Sequence, residues 1–174
     1  MRRIVVTGSE STGKTTLARM LGERFDTVAT SEFSREYADE RRVPLDQHDV
    51  EAIAMGQMAM EDRRARLARY GLMVLDTDLF STVVYGPHYY GTLQPWIERA
   101  ALERRGDLYL LLDIDVPWVP DAIRDRGEQR ADMHELFRAM LERYGLPFVT
   151  IGGSWGERYE RAIVAVEQRL PEAG

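Results

Sequence analysis

The stretch that decides the fold lies near the N-terminus, where Arg3-Ile4-Val5-Val6-Thr7 is followed at once by Gly8-Ser9-Glu10-Ser11-Thr12-Gly13-Lys14-Thr15. The first run has the composition of a β-strand, and the residues after the second predict a helix. Two glycines with four residues between them, followed by lysine and threonine, form the P-loop pattern when they lie between a strand and a helix. Its glycines let consecutive backbone N–H groups face phosphate oxygens, and the helix adds the positive end of its dipole. The sequence therefore predicts a nucleotide phosphate site.

Individual positions of this loop have distinct predicted roles. Lys14 would reach the β- and γ-phosphates as a point charge, and the Thr15 hydroxyl would be a ligand of Mg²⁺. Of the 23 basic residues in the chain, Lys14 is the only lysine. We therefore predict ATP and Mg²⁺ as cofactors. The predicted phosphate-binding residues are Gly8, Ser9, Glu10, Ser11, Thr12, Gly13, Lys14, Thr15 and Thr16.

Apolar or β-rich runs and helix-like stretches alternate along the rest of the chain. The further runs are Thr27–Thr30, Leu72–Asp76, Leu108–Asp113 and Pro147–Ile151, and the helix-like stretches are Lys14–Phe25, Asp46–Tyr70, Gln94–Arg105, Ala131–Tyr144 and Trp155–Leu170. Runs without polar alternation are typical of strands covered on both faces. The alternation predicts an α/β fold: one domain over residues 1–174 with a doubly wound, mainly parallel five-stranded sheet of the P-loop NTPase/kinase type and helices on both faces.

Composition excludes several classes of protein. A net charge of −6 argues against nucleic-acid binding, which needs a concentrated basic face. No apolar run approaches the roughly 18 residues of a membrane span. The absence of cysteine excludes disulfides and thiolate chemistry. We expect a cytoplasmic protein with a small-molecule substrate and no nucleic-acid or membrane partner, and the oligomeric state stays open.

Two aspartates close the predicted strand Leu72–Asp76. A carboxylate at the C-terminal end of a strand beside the P-loop strand is where a Mg²⁺-coordinating Walker-B aspartate belongs. Either Asp76 or Asp78 fits this role. The alternative, stronger for Asp78, is that the side chain caps a helix beginning near Leu79.

The segment Ser31–Tyr37 concentrates acidic, guanidinium and aromatic groups after the predicted second strand. Ligands of doubly wound sheets bind at this end of the strands. We predict that Glu32 orients or deprotonates the attacking hydroxyl of a phosphate acceptor and that Arg35 clamps the acceptor. The alternative is an ordinary helix N-terminus capped by Ser34, with a solvated arginine.

Two later segments are predicted to contact the nucleotide. Arg124 and Arg126 lie in an arginine-rich, lid-like segment around 120–131, which would close over the phosphates, with Arg124 also assisting catalysis. Its alternative is a solvated face. Gly153, Ser154 and Trp155 follow the last predicted strand and, with an arginine of the lid-like segment, would hold the adenine. Their alternative is a plain connection with the tryptophan in the core, and Ser154 with Glu157 fits a helix capping box.

Taken in order along the chain, these motifs resemble the nicotinamide riboside (NR) kinase domain of bifunctional bacterial NAD-biosynthesis regulators. Besides the P-loop, the resemblance rests on Glu32-Phe33-Ser34-Arg35-Glu36-Tyr37, Ala54-Met55-Gly56-Gln57, Asp76-Thr77-Asp78, Trp118-Val119-Pro120-Asp121 with Arg124, and Arg158-Tyr159. It implies ATP-dependent phosphorylation of the ribose 5′-hydroxyl of nicotinamide riboside. The chain leaves no room for the other activities of those proteins, so we expect a stand-alone kinase-like module.

Two positions depart from the pattern of that family. Ser31 stands where the family typically has tryptophan, so a stacking surface for the nicotinamide ring is missing, and Ala122 replaces a usual glycine. We therefore expect a kinase for nicotinamide riboside or a related nucleoside, with weak selection for the base. The alternatives are a kinase for another nucleoside or metabolite, and a regulatory P-loop NTPase switch without an acceptor.

Overall fold

The computed structural model describes residues 1–42, 44–116 and 130–169, which contain four strands and seven helices. The strands are β1 (Arg2–Thr7), β2 (Leu72–Asp76), β3 (Leu108–Leu112) and β4 (Phe148–Ile151). The helices are α1 (Lys14–Arg24), α2 (Phe33–Arg41), α3 (Asp49–Ala65), α4 (Leu79–Tyr90), α5 (Pro95–Glu103), α6 (Arg130–Arg143) and α7 (Trp155–Glu167).

All four strands form one parallel sheet in the order β2-β1-β3-β4. Ile4 of the inner strand β1 pairs with Val74 on one side and Leu108 on the other. All residues of β2 and β3 are buried, as expected for strands covered on both faces. Because the strands are parallel, the loops after β1, β2 and β3 leave the sheet at one edge.

Two hydrophobic clusters cover the two faces of the sheet. On one face, α1 and α7 contribute Leu17, Leu21 and Val166. On the other face, α3 to α6 contribute side chains that include Phe80 and Phe137. The predicted α/β fold with a parallel sheet and helices on both faces is therefore confirmed.

The predicted fifth strand over Thr27–Thr30 is wrong. Ala29 forms only an isolated parallel bridge with Val74, framed by hydrogen bonds from Thr30 N to Val74 O (3.0 Å) and from Val74 N to Val28 O (3.1 Å). The Thr27 N–H still donates to Gly22 O at the end of α1 (2.9 Å). Because Thr27 still bonds to the end of α1 and α2 begins at Phe33, only the middle of this segment pairs with β2.

No helix in the described ranges is both long enough and apolar enough to cross a lipid bilayer.

Candidate active site

The P-loop forms a concave turn between β1 and α1. Three of its residues have positive φ: Gly8 (126°), Ser11 (52°) and Gly13 (88°). The Thr12 hydroxyl donates to Ser9 O (2.9 Å), and the Lys14 ammonium, nearly buried, donates to the same oxygen (2.7 Å). These bonds fix the loop and hold the lysine charge across it. The turn has the geometry of an anion-binding backbone nest.

Thr15 and Asp76 meet where β1 and β2 end. The Thr15 hydroxyl donates to Asp76 Oδ2 (2.6 Å), while Asp76 Oδ1 is buried and has no hydrogen-bond partner within the described ranges. Burial raises the pKa of Asp76 to about 6, and the charge of Glu32 adds to the rise. The Thr15 hydrogen bond and the charges of Lys14 and Arg35 lower this pKa. A hydroxyl beside an unsatisfied carboxylate oxygen fits a divalent cation such as Mg²⁺.

Asp78 faces the protein interior instead. Its Oδ1 accepts the Phe80 N–H (3.0 Å) as the N-cap of α4, and its Oδ2 accepts the Tyr109 hydroxyl (2.7 Å). Burial raises the pKa of Asp78 to about 7. The helix-capping alternative therefore describes Asp78, because both of its oxygens already have protein donors. The arrangement favours Asp76 over Asp78 as the ligand of a cation.

Glu32 and Arg35 line a cavity of about 910 Å³ between α2, α3 and α4. Glu32 is the nearly buried N-cap residue of α2, and it accepts the Ser34 hydroxyl (2.9 Å). Ser34 thus lies inside the helix and does not cap it. Thr77, the residue after Asp76, also lines this cavity, so the cavity and the Thr15–Asp76 pair are neighbours at this edge of the sheet.

One wall of this cavity is aromatic, and sequence reasoning missed it. Tyr85 and Tyr89 of α4 stack with ring centroids 5.6 Å apart and an interplanar angle of 15°. The Tyr89 hydroxyl donates to Glu10 Oε1 of the P-loop (2.8 Å). Two side chains four residues apart lie on one face of a helix, so the Tyr85–Tyr89 spacing could have predicted this aromatic surface on the helix that follows Asp78. Other missed lining residues are Gln57, Thr77, Ser81 and Tyr90.

The loop between β4 and α7 packs against the P-loop. The Trp155 indole lies on Gly13: a Cβ atom built there would be 2.1 Å from Trp155 Cη2. The indole is 47% exposed, so it is not a core residue. The capping box of Ser154 and Glu157 is confirmed. One face of the site thus carries an exposed aromatic surface next to the phosphate loop.

Arg158, for which no chemical role was predicted, orders this loop. Its fully buried guanidinium donates to Gly153 O (2.9 Å), Thr12 O (3.2 Å) and Asp113 O (3.1 Å), and it pairs with the Asp115 carboxylate. Asp115 also accepts the Gly153 N–H (2.5 Å). One side chain therefore joins the P-loop, the end of β3 and the loop before α7.

Comparison with known proteins assigns this chain to a family. The profile described as AAA domain matches residues 3–158. The chain belongs to this family of AAA domains. It is 28% identical over 179 residues to the trifunctional NAD biosynthesis/regulator protein NadR of Escherichia coli (strain K12), covering 99% of the chain and 43% of that protein. The same protein of Salmonella typhimurium is 28% identical over 181 residues, covering 100% of the chain and 44% of the relative. The AAA domain thus spans less than half the length of these relatives.

Solved structures show the same similarity. A crystal structure of NadR protein in complex with NR matches the AAA domain with a TM-score of 0.87 at 29% identity, covering 97% of this chain and 51% of that one. A structure of NadR protein in complex with NAD and AMP-PNP gives 0.83 at 28% identity, covering 97% and 49%. Thymidylate kinase from Candida albicans matches at 0.68 and 13% identity over 97% of this chain and 92% of that one, which shows the fold alone.

The predicted lid of the AAA domain lies largely outside the described residues. Arg124 and Arg126 fall there, so their roles stay predictions. Arg130, at the start of α6, is described: its guanidinium donates to Val116 O (2.7 Å) and to Ser11 O (3.3 Å). Both flanks of the undescribed 117–129 segment are therefore linked to the P-loop.

Proposed function

We propose that this AAA domain is an ATP-dependent kinase that transfers the γ-phosphate to the ribose 5′-hydroxyl of nicotinamide riboside or a related nucleoside. The observation that carries the proposal is the cavity lined by Glu32 and Arg35, which lies beside the Thr15–Asp76 pair of the P-loop site. A phosphate-donor site and a cavity for an acceptor would thus share one edge of the sheet. Phosphoryl transfer needs such positioning more than covalent help from the protein.

On the donor side, the loop N–H groups and Lys14 would bind the phosphates of ATP. Thr15 and Asp76 would hold Mg²⁺, whose chemistry when bound is to neutralise charge on the β- and γ-phosphates. The AMP-PNP in the complex of a NadR relative supports ATP as the donor. The exposed face of Trp155 beside Gly13 would receive the adenine, with an arginine of the 124–130 segment on its other side.

On the acceptor side, Glu32 would accept a hydrogen bond from the attacking hydroxyl and take up its proton, while Arg35 would hold the acceptor. Glu32 is nearly buried and lines the cavity, so its carboxylate is available to a bound acceptor and largely shielded from bulk water. The Tyr85–Tyr89 pair offers a planar surface to a base. The NadR structure in complex with NR, whose alignment covers 97% of this chain at 29% identity, supports nicotinamide riboside as the acceptor.

Ser31 shapes the expected selectivity. Its hydroxyl contacts the Glu36 carboxylate and lies 3.4 Å from Met60 Sδ, so this position gives the acceptor no ring. Among the described residues, the tyrosine rings that line the cavity and could contact a base are those of Tyr85, Tyr89 and Tyr90. We expect ribose contacts to dominate recognition and several ribosides to be accepted.

The test is ATP turnover against a panel of ribosides, with nicotinamide riboside, adenosine, cytidine, uridine and no acceptor as separate arms. A kinase shows turnover that depends on the acceptor, whereas a regulatory NTPase switch shows the same ADP release in every arm. Glu32→Gln should lower turnover by about 10²–10⁴-fold with nearly unchanged ATP affinity. Full activity of that variant would remove Glu32 as the base, and strict selection of nicotinamide riboside would remove the argument from Ser31.

A further inference from the structure

A buried carboxylate on α3 is fixed by two arginines next to the acceptor cavity. Glu61 is fully buried, and its Oε2 accepts from Arg3 Nη2 of β1 (2.5 Å) and from Arg104 Nη2 after α5 (3.2 Å). A carboxylate held between two guanidinium groups acts only as an acceptor. Glu61 Oε1 therefore requires a donor from a third residue.

Gln57, one helical turn earlier, supplies that donor. Its Nε2 donates to Glu61 Oε1 (2.9 Å). Since Glu61 can only accept, the amide nitrogen must face it, and the amide oxygen must point the other way. That oxygen accepts the Phe33 N–H (3.2 Å), and Nε2 also lies 3.5 Å from Thr77 O. The two arginines thus set the orientation of the Gln57 amide through Glu61.

Gln57 contacts the backbone of two residues, and each of them is the next residue in the chain after a carboxylate of the site. Phe33 comes after Glu32, and Thr77 comes after Asp76. We propose that Gln57 is a positioning residue that holds Glu32 at the distance from Asp76 that transfer requires. The proposal rests on the proposed kinase function for its catalytic consequence.

The packing beneath α2 makes this contact close. The Phe33 ring lies directly on Gly56, where an added Cβ atom would be 2.0 Å from Phe33 Cε1. The start of α2 therefore rests on the backbone of α3, immediately beside Gln57. A side chain at position 56 would force the Phe33 ring to shift.

The test uses two variants, Gln57→Leu and Gln57→Glu, assayed from pH 5.5 to 8.5. Gln57→Leu removes the contacts to Phe33, Glu61 and Thr77. We therefore expect kcat to fall roughly 10- to 100-fold at every pH, with the KM for ATP within about twofold. Gln57→Glu keeps the shape. Its carboxylate repels Glu61 at high pH, whereas its protonated form donates to Glu61 and accepts from Phe33. We therefore expect kcat of Gln57→Glu to recover as the pH falls, a limb absent from the wild type and from Gln57→Leu.

The matched control is Gln168→Glu, the same change at an exposed position after α7, which should alter neither kcat nor its pH profile. Hydrogen exchange at the Phe33 amide gives a readout independent of catalysis, and it should be faster in Gln57→Leu than in Gln168→Glu. Circular dichroism checks that each variant is folded. If Phe33 exchanges equally in both variants, or if an active wild type is matched by both Gln57 variants, Gln57 has no positioning role. A wild type that never shows acceptor-dependent turnover overturns the proposed function. The exchange rate of the Phe33 amide still tests whether Gln57 holds the start of α2.

Discussion

Replacing Arg158 by methionine should destabilise the protein more than any surface change. The guanidinium is fully buried and donates to three backbone carbonyls, those of Gly153, Thr12 and Asp113, besides pairing with Asp115. Methionine fills much of the volume but donates nothing. The three carbonyls would lose a charged donor in a site that water enters poorly.

The magnitude follows from these contacts. Each hydrogen bond from a charged group contributes about 1.5–3 kcal/mol, and the sum over three carbonyls is offset in part by the cost of burying the guanidinium, which methionine does not incur. Asp115 adds little, because its side chain is 40% exposed and can be rehydrated. We expect the free energy of unfolding to fall by about 3–5 kcal/mol. At roughly 2–4 °C per kcal/mol for a chain of 174 residues, Tm should drop by roughly 10 °C.

The assay is urea unfolding followed by circular dichroism, with two further variants. Arg158→Lys keeps a charge but cannot reach all three carbonyls, so it should fall between wild type and Arg158→Met. Arg69→Met removes an exposed ion pair with Asp26, whose side chains are 67% and 66% exposed, and should change stability by less than about 0.5 kcal/mol. If Arg158→Met is no less stable than Arg69→Met, the assignment of Arg158 as the link between these loops is wrong.

Four further predictions concern the site itself. Lys14→Ala should fold but turn over about 10²–10³-fold more slowly, and near-normal kinetics would argue against P-loop chemistry. Asp76→Asn should raise the Mg²⁺ concentration needed for half-maximal activity, whereas Asp78→Asn should leave it nearly unchanged; the reverse order would exchange their roles. Burial raises the pKa of Asp78 to about 7, so between pH 5 and pH 7 the folded state keeps a proton that the unfolded state has released. In EDTA, the free energy of unfolding should therefore fall by about 2 kcal/mol more over this range in wild type than in Asp78→Asn. Equal slopes in the two proteins would contradict this. Trp155→Ala should weaken ATP binding roughly tenfold by calorimetry without changing the acceptor KM, and a bound nucleotide with its adenine away from Trp155 would count against that site.

The parts of the site that sequence reasoning found are encoded locally. The P-loop is a continuous motif, and the spacing of its glycines and lysine specifies its own conformation. The Thr15–Asp76 pair followed from one topological rule, because neighbouring parallel strands end at the same edge. The position of Glu32 at the cavity followed from the same rule, although the segment before it forms only a single bridge and not the predicted strand, and its role as the base stays a prediction.

The missing parts depend on tertiary partners. Helix α2 has no buried residue, so it carries no apolar periodicity to detect, and Pro87 inside α4 resembles a helix-breaking signal. These two helices form much of the cavity. Gln57 and Arg158 are polar residues whose burial is compensated by groups distant in sequence, Phe33 for Gln57 and Thr12 for Arg158, and no local pattern reveals such pairs.

The most direct test of the account follows the γ-phosphate itself. The purified chain is incubated with Mg²⁺, nicotinamide riboside and ATP labelled in the γ-phosphate, and the products are separated and identified by mass and by nuclear magnetic resonance. We expect the label to appear on the 5′-oxygen of the riboside, giving the mononucleotide in amounts equal to the ADP formed. Label found only in inorganic phosphate, at a rate unchanged by the riboside, would contradict it.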